Sequence, residues 1–174
     1  MEKIELDIKI TEKDLFGFNM YHSYHSIQTW LFAGLGVVIT GLALTTFNKV
    51  DITYTMLYIL AGLLFVFYTP INLKTQSKLA MRTGGAISEK MKYEFSESGI
   101  KVSLSECDDK EMKDSTATSV PWALIFKIKE TKKAFYIYTS PKNASILPKV
   151  QIGDKEAMLK ELFRKELETY KYGG

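Results

Sequence analysis

The sequence has few of the residues that build disulfides, metal centres and catalytic sites. Its 174 residues include one cysteine, Cys107, and two histidines, His22 and His25. A single cysteine excludes an internal disulfide and a cysteine-cluster metal site. Because Cys107 is followed by Asp108 and Asp109, we expect an inert thiol in a reducing compartment. The net charge of +3 is too small to indicate a nucleic-acid partner.

Motifs of the common enzyme classes are missing as well. The chain contains no Gly-x-Ser-x-Gly, Walker or HExxH motif. His22 and His25 could share a helix face and bind a metal, but a place at the level of lipid headgroups is favoured. The acidic stretch 106–115 lacks the spacing and glycine of a calcium loop, so a solvated loop is favoured. We predict a protein that is not an enzyme and binds no cofactor or metal.

Charge is absent from two long stretches of the chain. Trp30–Phe47 and Ile52–Leu73 contain no charged residue, although the mean hydropathy of the whole chain is only −0.06. About 20 apolar residues suffice to cross a bilayer. The segments Ile27–Phe47 and Ile52–Ile71 meet this length and predict two transmembrane helices. A pair of buried helices in a soluble bundle is disfavoured, because such helices usually keep a polar stripe.

The flanks of these segments predict their orientation. The connection 48–51 is so short that the helices must be antiparallel neighbours. The surrounding cations are Lys3, Lys9 and Lys13 before the first span and Lys74, Lys78 and Arg82 after the second. The positive-inside rule then predicts a multi-pass cell-membrane protein with both termini in the cytoplasm. Tyr21, Tyr24, Trp30 and Tyr68 are expected in an interfacial aromatic belt.

The interior of the two spans indicates an anchor rather than a conduit. Neither span holds an ionisable residue, and ion or proton pathways need such groups. Small residues lie near mid-membrane: Gly34, Gly36 and Gly41 in the first helix, and Ala61 and Gly62 in the second. The pairs Gly36–Thr40 and Gly41–Thr45 would allow two helices to pack closely. We favour packing between the two helices of the hairpin over packing against a second copy or a partner.

The N-terminal arm predicts a strand followed by a helix. Ile4, Leu6, Ile8 and Ile10 alternate with polar residues, which is typical of a half-buried strand. Thr11 with Asp14 resembles a capping box at a helix start. A lone strand is unstable in water, so we expect it to join a sheet formed by the C-terminal region.

The region after the second span predicts a helical stem and then short strands. Leu73–Met81 should continue the helix, with Lys74, Lys78 and Arg82 on one face, ending at Gly84–Gly85. The predicted strands are Lys92–Phe95, Ile100–Leu104, Thr118–Lys129 and Phe135–Tyr138, with a strand or turn at Asn143–Leu147. Turns are predicted at Ser96–Gly99 and Thr131–Lys133. In Thr118–Lys129, one face is expected to hold Val120, Trp122, Leu124, Phe126 and Ile128.

The C-terminal end predicts one amphipathic helix over Asp154–Lys171. Its apolar stripe is formed by Met158, Leu159, Leu162, Phe163, Leu167 and Tyr170. The predicted fold class is therefore an α+β membrane protein: a transmembrane helical hairpin plus a small antiparallel β domain resembling pleckstrin-homology (PH) domains, capped by the C-terminal helix. The predicted divisions are 1–26 for the arm, 27–71 for the hairpin, 72–86 for the basic stem and 87–174 for the cytoplasmic domain.

Several motifs carry a resemblance to a known family. They are Val120-Pro121-Trp122, Ile128-Lys129-Glu130, Phe135-Tyr136-Ile137-Tyr138 and Ile146-Leu147-Pro148-Lys149. With the two spans, they resemble the bacterial YcxB-like family. The resemblance implies an N-terminal arm, two spans and a cytoplasmic PH-like domain. The family has no established activity, so the resemblance implies no active site.

We therefore expect a membrane-anchored, non-catalytic interaction module on the cytoplasmic face. Its partners would be lipid headgroups, a membrane or cytoplasmic protein, or a second copy of the chain. The candidate lipid-facing cations are Lys74, Lys78, Arg82, Lys127, Lys129, Lys132 and Lys133, for which topology-setting charge and a solvated turn are the alternative interpretations. A bacteriocin-type immunity or defence protein is the alternative function.

Overall fold

The computed structural model describes residues 3–47, 49–84, 89–105, 117–141, 143–167 and 171–173. The chain forms two compact units, one made of residues 1–15 and 83–174 and the other of residues 16–82. We call the first unit the sheet domain and the second the apolar hairpin. Cys107 and the acidic stretch 106–115 lie outside the described residues.

The apolar hairpin is built from three helices. They are α1 (Glu12–Tyr24), which begins in the sheet domain, α2 (Ile27–Thr45) and α3 (Ile52–Thr83). The second span and the stem are thus one continuous helix, as the sequence predicted for Leu73–Met81. The capping box is also confirmed, because the Asp14 carboxylate accepts from the Thr11 backbone amide at 3.0 Å and the Thr11 hydroxyl at 2.6 Å.

Within the described residues, the sheet domain has two four-stranded sheets. The first has the order β1-β2-β3-β4, with β1 Ile4–Lys9, β2 Lys90–Ser96, β3 Gly99–Leu104 and β4 Thr118–Val120. The second has the order β7-β6-β5-β8, with β5 Lys127–Glu130, β6 Ala134–Tyr138, β7 Ala144–Pro148 and β8 Tyr172–Gly173. All strand pairs are antiparallel except β5 with β8.

The predicted N-terminal strand joins the sheet of the C-terminal region. Strand β1 pairs with β2 in a register that places Ile4 opposite Phe95 and Lys9 opposite Lys90. Its burial alternates along its length, with Ile8 only 1% exposed. The apolar hairpin is therefore inserted between two neighbouring strands of one sheet.

The predicted single strand over Thr118–Lys129 is wrong. Pro121 lacks the amide hydrogen that a central strand position needs, and the chain turns through a 3₁₀ helix at Trp122–Leu124 before β5 begins. Leu124 is 66% exposed and Phe126 49%, whereas Ile125 is buried. This turn carries the chain from the first sheet to the second, which explains why the apolar alternation does not mark one buried face.

The predicted C-terminal helix has other bounds. It starts earlier, as α4 (Lys149–Ile152), passes through a 3₁₀ turn at Gly153–Lys155 and continues as α5 (Glu156–Glu166). Gly153 has a φ of +57°, which separates the two helical segments. Met158, predicted in the apolar stripe, is 47% exposed. Tyr170, also predicted there, lies outside the described residues.

Helix α5 supplies the centre of the core. Leu159 and Phe163 are fully buried, and the Phe163 ring lies edge-on to four aromatic rings at centroid distances of 5.7 to 6.0 Å. These four rings belong to Phe95, Trp122, Phe135 and Tyr172. Both sheets therefore pack on one helix, as expected if that helix fills the space between them.

A glycine permits the closest approach within the first sheet. Gly99 follows the two-residue turn between β2 and β3 and has a φ of +144°, as predicted for this turn. A Cβ atom there would collide with the Val120 carbonyl oxygen and would lie 2.8 Å from the Pro121 Cα. Glycine is thus required both by the backbone conformation and by the neighbouring strand β4.

Candidate functional site

The apolar hairpin presents an open apolar surface. Helices α2 and α3 are long and apolar enough to cross a membrane, by length and composition. Only 11% and 6% of their most apolar windows are buried, whereas the core helix of a soluble protein is mostly buried. Leu31, Val37 and Leu64 are each more than 60% exposed. Such a surface is stable only against an apolar environment.

Several threonine hydroxyls of the apolar hairpin donate to backbone carbonyls three or four residues earlier in the chain. The hydroxyl of Thr40 donates to the Gly36 carbonyl at 2.9 Å, and the hydroxyl of Thr46 donates to the Leu42 carbonyl at 2.8 Å. A hydroxyl paired in this way costs little in an apolar medium. The threonines are therefore compatible with an apolar environment around both helices.

Helices α2 and α3 approach each other most closely at two glycines. A Cβ on Gly36 would lie 2.6 Å from the Gly62 carbonyl oxygen, and a Cβ on Gly62 would collide with the Thr40 hydroxyl. Gly34 and Gly41 have no neighbouring atom within 4 Å at the same position. Of the two predicted small-residue pairs, Gly36–Thr40 lies in the helix contact, while Gly41 faces away from it.

Replacing Gly62 by leucine should separate the two helices, whereas Gly41→Leu should not. The larger side chain at Gly62 meets α2 backbone and should cost about 1 to 3 kcal/mol of hairpin stability. The measurement is the loss of helical circular dichroism of the full chain, in mild detergent, on titration with dodecyl sulfate. Equal midpoints for both variants would show that the glycine contact does not hold the hairpin.

The stem carries the three predicted cations on one face. Lys74, Lys78 and Arg82 follow each other at four-residue steps along α3 and are all exposed. Within the described ranges no carboxylate lies within ion-pair distance of them. A neighbouring face of α3 holds Ser77, which is fully buried and accepts a hydrogen bond from the Asn19 side chain at 3.0 Å. Helix α1 thus packs against the stem and leaves its cationic face free.

The aromatic residues before α2 form a local cluster. The Trp30 indole donates to the Tyr24 carbonyl at 2.9 Å and meets the Tyr24 ring edge-on. His25 lies against Tyr21, and His22 stacks on Phe18. The described residues contain no group of three or more His, Cys, Asp or Glu side chains that could hold a metal ion.

The four candidate lysines of the second sheet lie in two places, Lys127 and Lys129 in strand β5 and Lys132 and Lys133 in the turn after it. Lys127 lies at the start of β5, with its ammonium 4.9 Å from the centre of the Tyr138 ring. Lys129 stands opposite Tyr136 in the same strand pair. Lys132 and Lys133 are exposed in the turn at the other end of β5. The structure thus separates the pair Lys132–Lys133 from Lys127 by the length of the strand, about 10 Å.

A shallow groove of about 830 Å³ opens beside β4. Its apolar lining includes Met91, Val102, Val120 and the exposed Leu124. Strand β4 is the outer strand of the first sheet, so within the described residues its free edge borders no other strand. An exposed strand edge beside an apolar groove can accept an extended peptide.

A network of four charged residues joins the second sheet to the C-terminal helices. The Glu130 carboxylate lies 2.6 Å from the Lys149 ammonium and 2.7 Å from the Lys160 ammonium. Glu156 contacts the same two lysines at 2.8 Å each, and the Tyr172 hydroxyl donates to Glu130 at 2.7 Å. The two positive and two negative charges cancel, so the network is a structural clamp. Sequence spacing shows only the Glu156–Lys160 pair, because the other contacts join distant segments.

These contacts shift the ionisation of Glu130 and Tyr172. Burial raises the pKa of Glu130, but hydrogen bonds from Lys149, Lys160 and Tyr172 outweigh it and lower this pKa to about 2. Burial and then the hydrogen bond to Glu130 raise the pKa of Tyr172 to about 12. Glu130 therefore remains a carboxylate, and Tyr172 a phenol, over the physiological range.

Acid should weaken the sheet domain through Glu130. Because its folded pKa lies below that of an ordinary glutamate, its contribution of about 2 kcal/mol is complete above pH 4.5 and declines towards pH 2. Glu130→Gln should lower stability at pH 7 and flatten its fall between these two pH values. Urea unfolding of the full chain in detergent at several pH values measures this.

The matched control is Glu97→Gln, which removes a carboxylate from an exposed contact with Lys165. That change should leave both the stability at pH 7 and its acid dependence nearly unchanged. An acid dependence in Glu130→Gln as steep as in the unaltered chain would contradict the role of the network.

Comparison with known proteins connects the sheet domain to one family. A model of the YcxB-like protein family matches residues 95–162, and the resemblance predicted from the sequence is thereby confirmed for this segment. The segment that is similar to this family runs from the end of β2 into α5. The match leaves out β1 and the apolar hairpin. No curated protein and no solved structure matches the chain.

Proposed function

We propose that this protein is a membrane-anchored, non-catalytic interaction module. The apolar hairpin spans the cell membrane, and the sheet domain works on the cytoplasmic face, where it binds lipid headgroups or a protein. The observation that carries the proposal is the open apolar surface of α2 and α3, with 11% and 6% of their most apolar windows buried. A bilayer is the environment that removes this much apolar surface from water.

The charge distribution supports the orientation. Lysines and an arginine lie on both outer flanks of the hairpin, while the loop 49–51 carries one lysine and one aspartate. Cytoplasmic flanks are enriched in such cations. Lys74, Lys78 and Arg82 on the exposed stem face would then lie near an anionic leaflet, where each contributes about 1 kcal/mol.

The architecture of the sheet domain supports a binding role. In the described residues, β1 to β4 form one antiparallel sheet, β5 to β7 with β8 form a second, and the C-terminal helix α5 packs against both, an arrangement that supports a PH-like scaffold. Such a scaffold binds through its loops or strand edges, and the groove beside β4 offers one such edge. The protein partner would be a membrane protein, a cytoplasmic protein or a second copy of the chain.

Reporter fusions test the proposed topology. A reporter that works only in the cytoplasm should be active when it is attached after Gly174. A reporter that works only outside the cytoplasm should be active when it is inserted between Lys49 and Asp51. Activity of both fusions on the same side, or the reverse pattern, would contradict the proposal.

A further inference from the structure

Both chain connections to the apolar hairpin leave the sheet domain at the same end. Strand β1 ends at Lys9 before the chain enters α1, and β2 begins at Lys90 after the chain leaves α3. Lys9 and Lys90 are direct partners in the sheet. We call this end of the domain the tether end. In a membrane-anchored chain, both connections to the membrane leave the domain from this end.

The exposed turn of the second sheet lies at the tether end as well. The Gln151 side chain donates to the Lys9 carbonyl and accepts from the Lys9 amide, both at 2.8 Å. The Lys149 amide donates to the Lys133 carbonyl at 2.9 Å. Helix α4 therefore connects the end of β1 to the turn that carries Lys132 and Lys133.

Helix α4 also presents an unusual apolar side chain. Val150 is 93% exposed, whereas Ile152 in the same helix is buried in the core. Lys132 and Lys133 are exposed, the Lys133 carbonyl is hydrogen-bonded to Lys149, the residue before Val150, and neither lysine has a carboxylate within ion-pair distance in the described part of the chain. The Glu130 carboxylate, which belongs to the charged network described above, pairs with Lys149 and Lys160 and so does not offset the charge of Lys132 and Lys133. Two uncompensated lysines beside one fully exposed apolar residue are complementary to an anionic lipid surface.

We propose that the tether end docks on the anionic leaflet through Lys132, Lys133 and Val150. The inference rests on the proposed membrane anchoring and adds to it a specific lipid-facing surface. The lysines would lie among the phosphates, and Val150 would enter the headgroup layer. Lys127 has no part in this contact, because it lies at the opposite end of β5.

Because the domain is joined to the membrane anchor, the small surface formed by Lys132, Lys133 and Val150 is sufficient for docking on the leaflet. The membrane anchor holds the domain at an effective lipid concentration far above that of a free protein. Each lysine near an anionic leaflet contributes about a fivefold preference for the docked state. Removal of both should therefore reduce docking by about 25-fold, enough to release the domain.

The test uses the full chain in lipid nanodiscs of two compositions, phosphatidylcholine alone and phosphatidylcholine mixed with phosphatidylglycerol. An environment-sensitive fluorophore is attached through Val150→Cys in a Cys107→Ser background, and its quenching by aqueous acrylamide, which is uncharged, is measured. We expect several-fold weaker quenching with phosphatidylglycerol than without it. Lys132→Ala with Lys133→Ala should restore strong quenching.

The matched control is Lys127→Ala with Lys129→Ala. It removes two positive charges from strand β5 instead of from the turn that follows it, and it should leave the probe protected. Equal quenching in both lipids, equal effects of the two double variants, or protection that persists without Lys132 and Lys133 would overturn the inference. The last result would indicate a protein contact at Val150. A chain that does not co-elute with the nanodiscs would contradict the proposed anchoring itself, which separates the two failures.

Discussion

Phe163→Ala is expected to lower the free energy of unfolding of the sheet domain by about 4 kcal/mol. The Phe163 ring is fully buried and touches aromatic rings from both sheets. Its removal leaves a cavity at the point where the two sheets meet α5, and neither sheet can move to fill it without losing its own pairing. Since a domain has only about 5 to 15 kcal/mol of stability, this is a large fraction of the total.

Thermal unfolding of the full chain in detergent, followed by near-ultraviolet circular dichroism, measures the effect. The midpoint should fall on the order of 15 °C. Met158→Ala is the matched control on the same helix, because Met158 is 47% exposed and should cost less than about 1 kcal/mol. Similar losses for the two variants would mean that α5 does not pack through Phe163.

Removal of residues 1–9 is expected to prevent the sheet domain from folding. Strand β1 contributes the buried side chains of Ile4, Leu6 and Ile8. At about 2 kcal/mol for each buried aliphatic side chain, their loss amounts to about 6 kcal/mol. The deletion also leaves the edge of β2 unpaired and its apolar face open to water. A domain limited to residues 87–174 would have the same defect.

Limited proteolysis measures the effect. The full chain and a chain that begins at Ile10 are compared in the same detergent for their resistance to cleavage. The shortened chain should be cut throughout residues 89–167, while the full chain resists. Alanine at both Glu5 and Asp7 serves as the control, because these side chains lie on the exposed face of β1. Full resistance of the shortened chain would show that β1 is dispensable.

Local patterns predicted most of the elements. The period-two alternation of β1, the Thr11–Asp14 cap, the continuous stem and the hairpin turn at Gly99 are all confirmed, because each depends on residues close together in the sequence. The pairing of β1 with the C-terminal region also followed from the sequence, since a lone strand needs a sheet. The helix limits differ by a few residues, which is usual where helices end.

The failures come from contacts between distant segments. The break at Pro121 turns Leu124 and Phe126 outwards because the chain must pass from one sheet to the other at that point. Helix α5 ends at Glu166 because Leu167 adopts an extended conformation, after which Lys171 accepts a hydrogen bond from Ile128 in β5. Pro121 is a local signal against a continuous strand, whereas the hydrogen bond between Ile128 and Lys171 is not visible in a local window of sequence.

The same limit applies to the candidate surfaces. The sequence grouped Lys127, Lys129, Lys132 and Lys133 because they are neighbours in the chain, but a strand separates its two ends by its full length. Val150 was not noticed, because its exposure depends on how α4 is tied to β1 and to the β5–β6 turn. A lone apolar residue beside a proline and a lysine carries no signal until the fold places it.

We infer that the apolar hairpin is the part of the described chain that anchors this protein in a bilayer. Lys9 stands directly opposite Lys90, so a two-residue Asn-Gly turn can join them and remove residues 10–89. Alkaline carbonate extraction of membranes compares the full chain with this shortened chain. The full chain should remain in the membrane pellet and the shortened chain should appear in the supernatant, because carbonate removes proteins that are held only at the surface. Recovery of the full chain in the supernatant would contradict membrane anchoring by the hairpin.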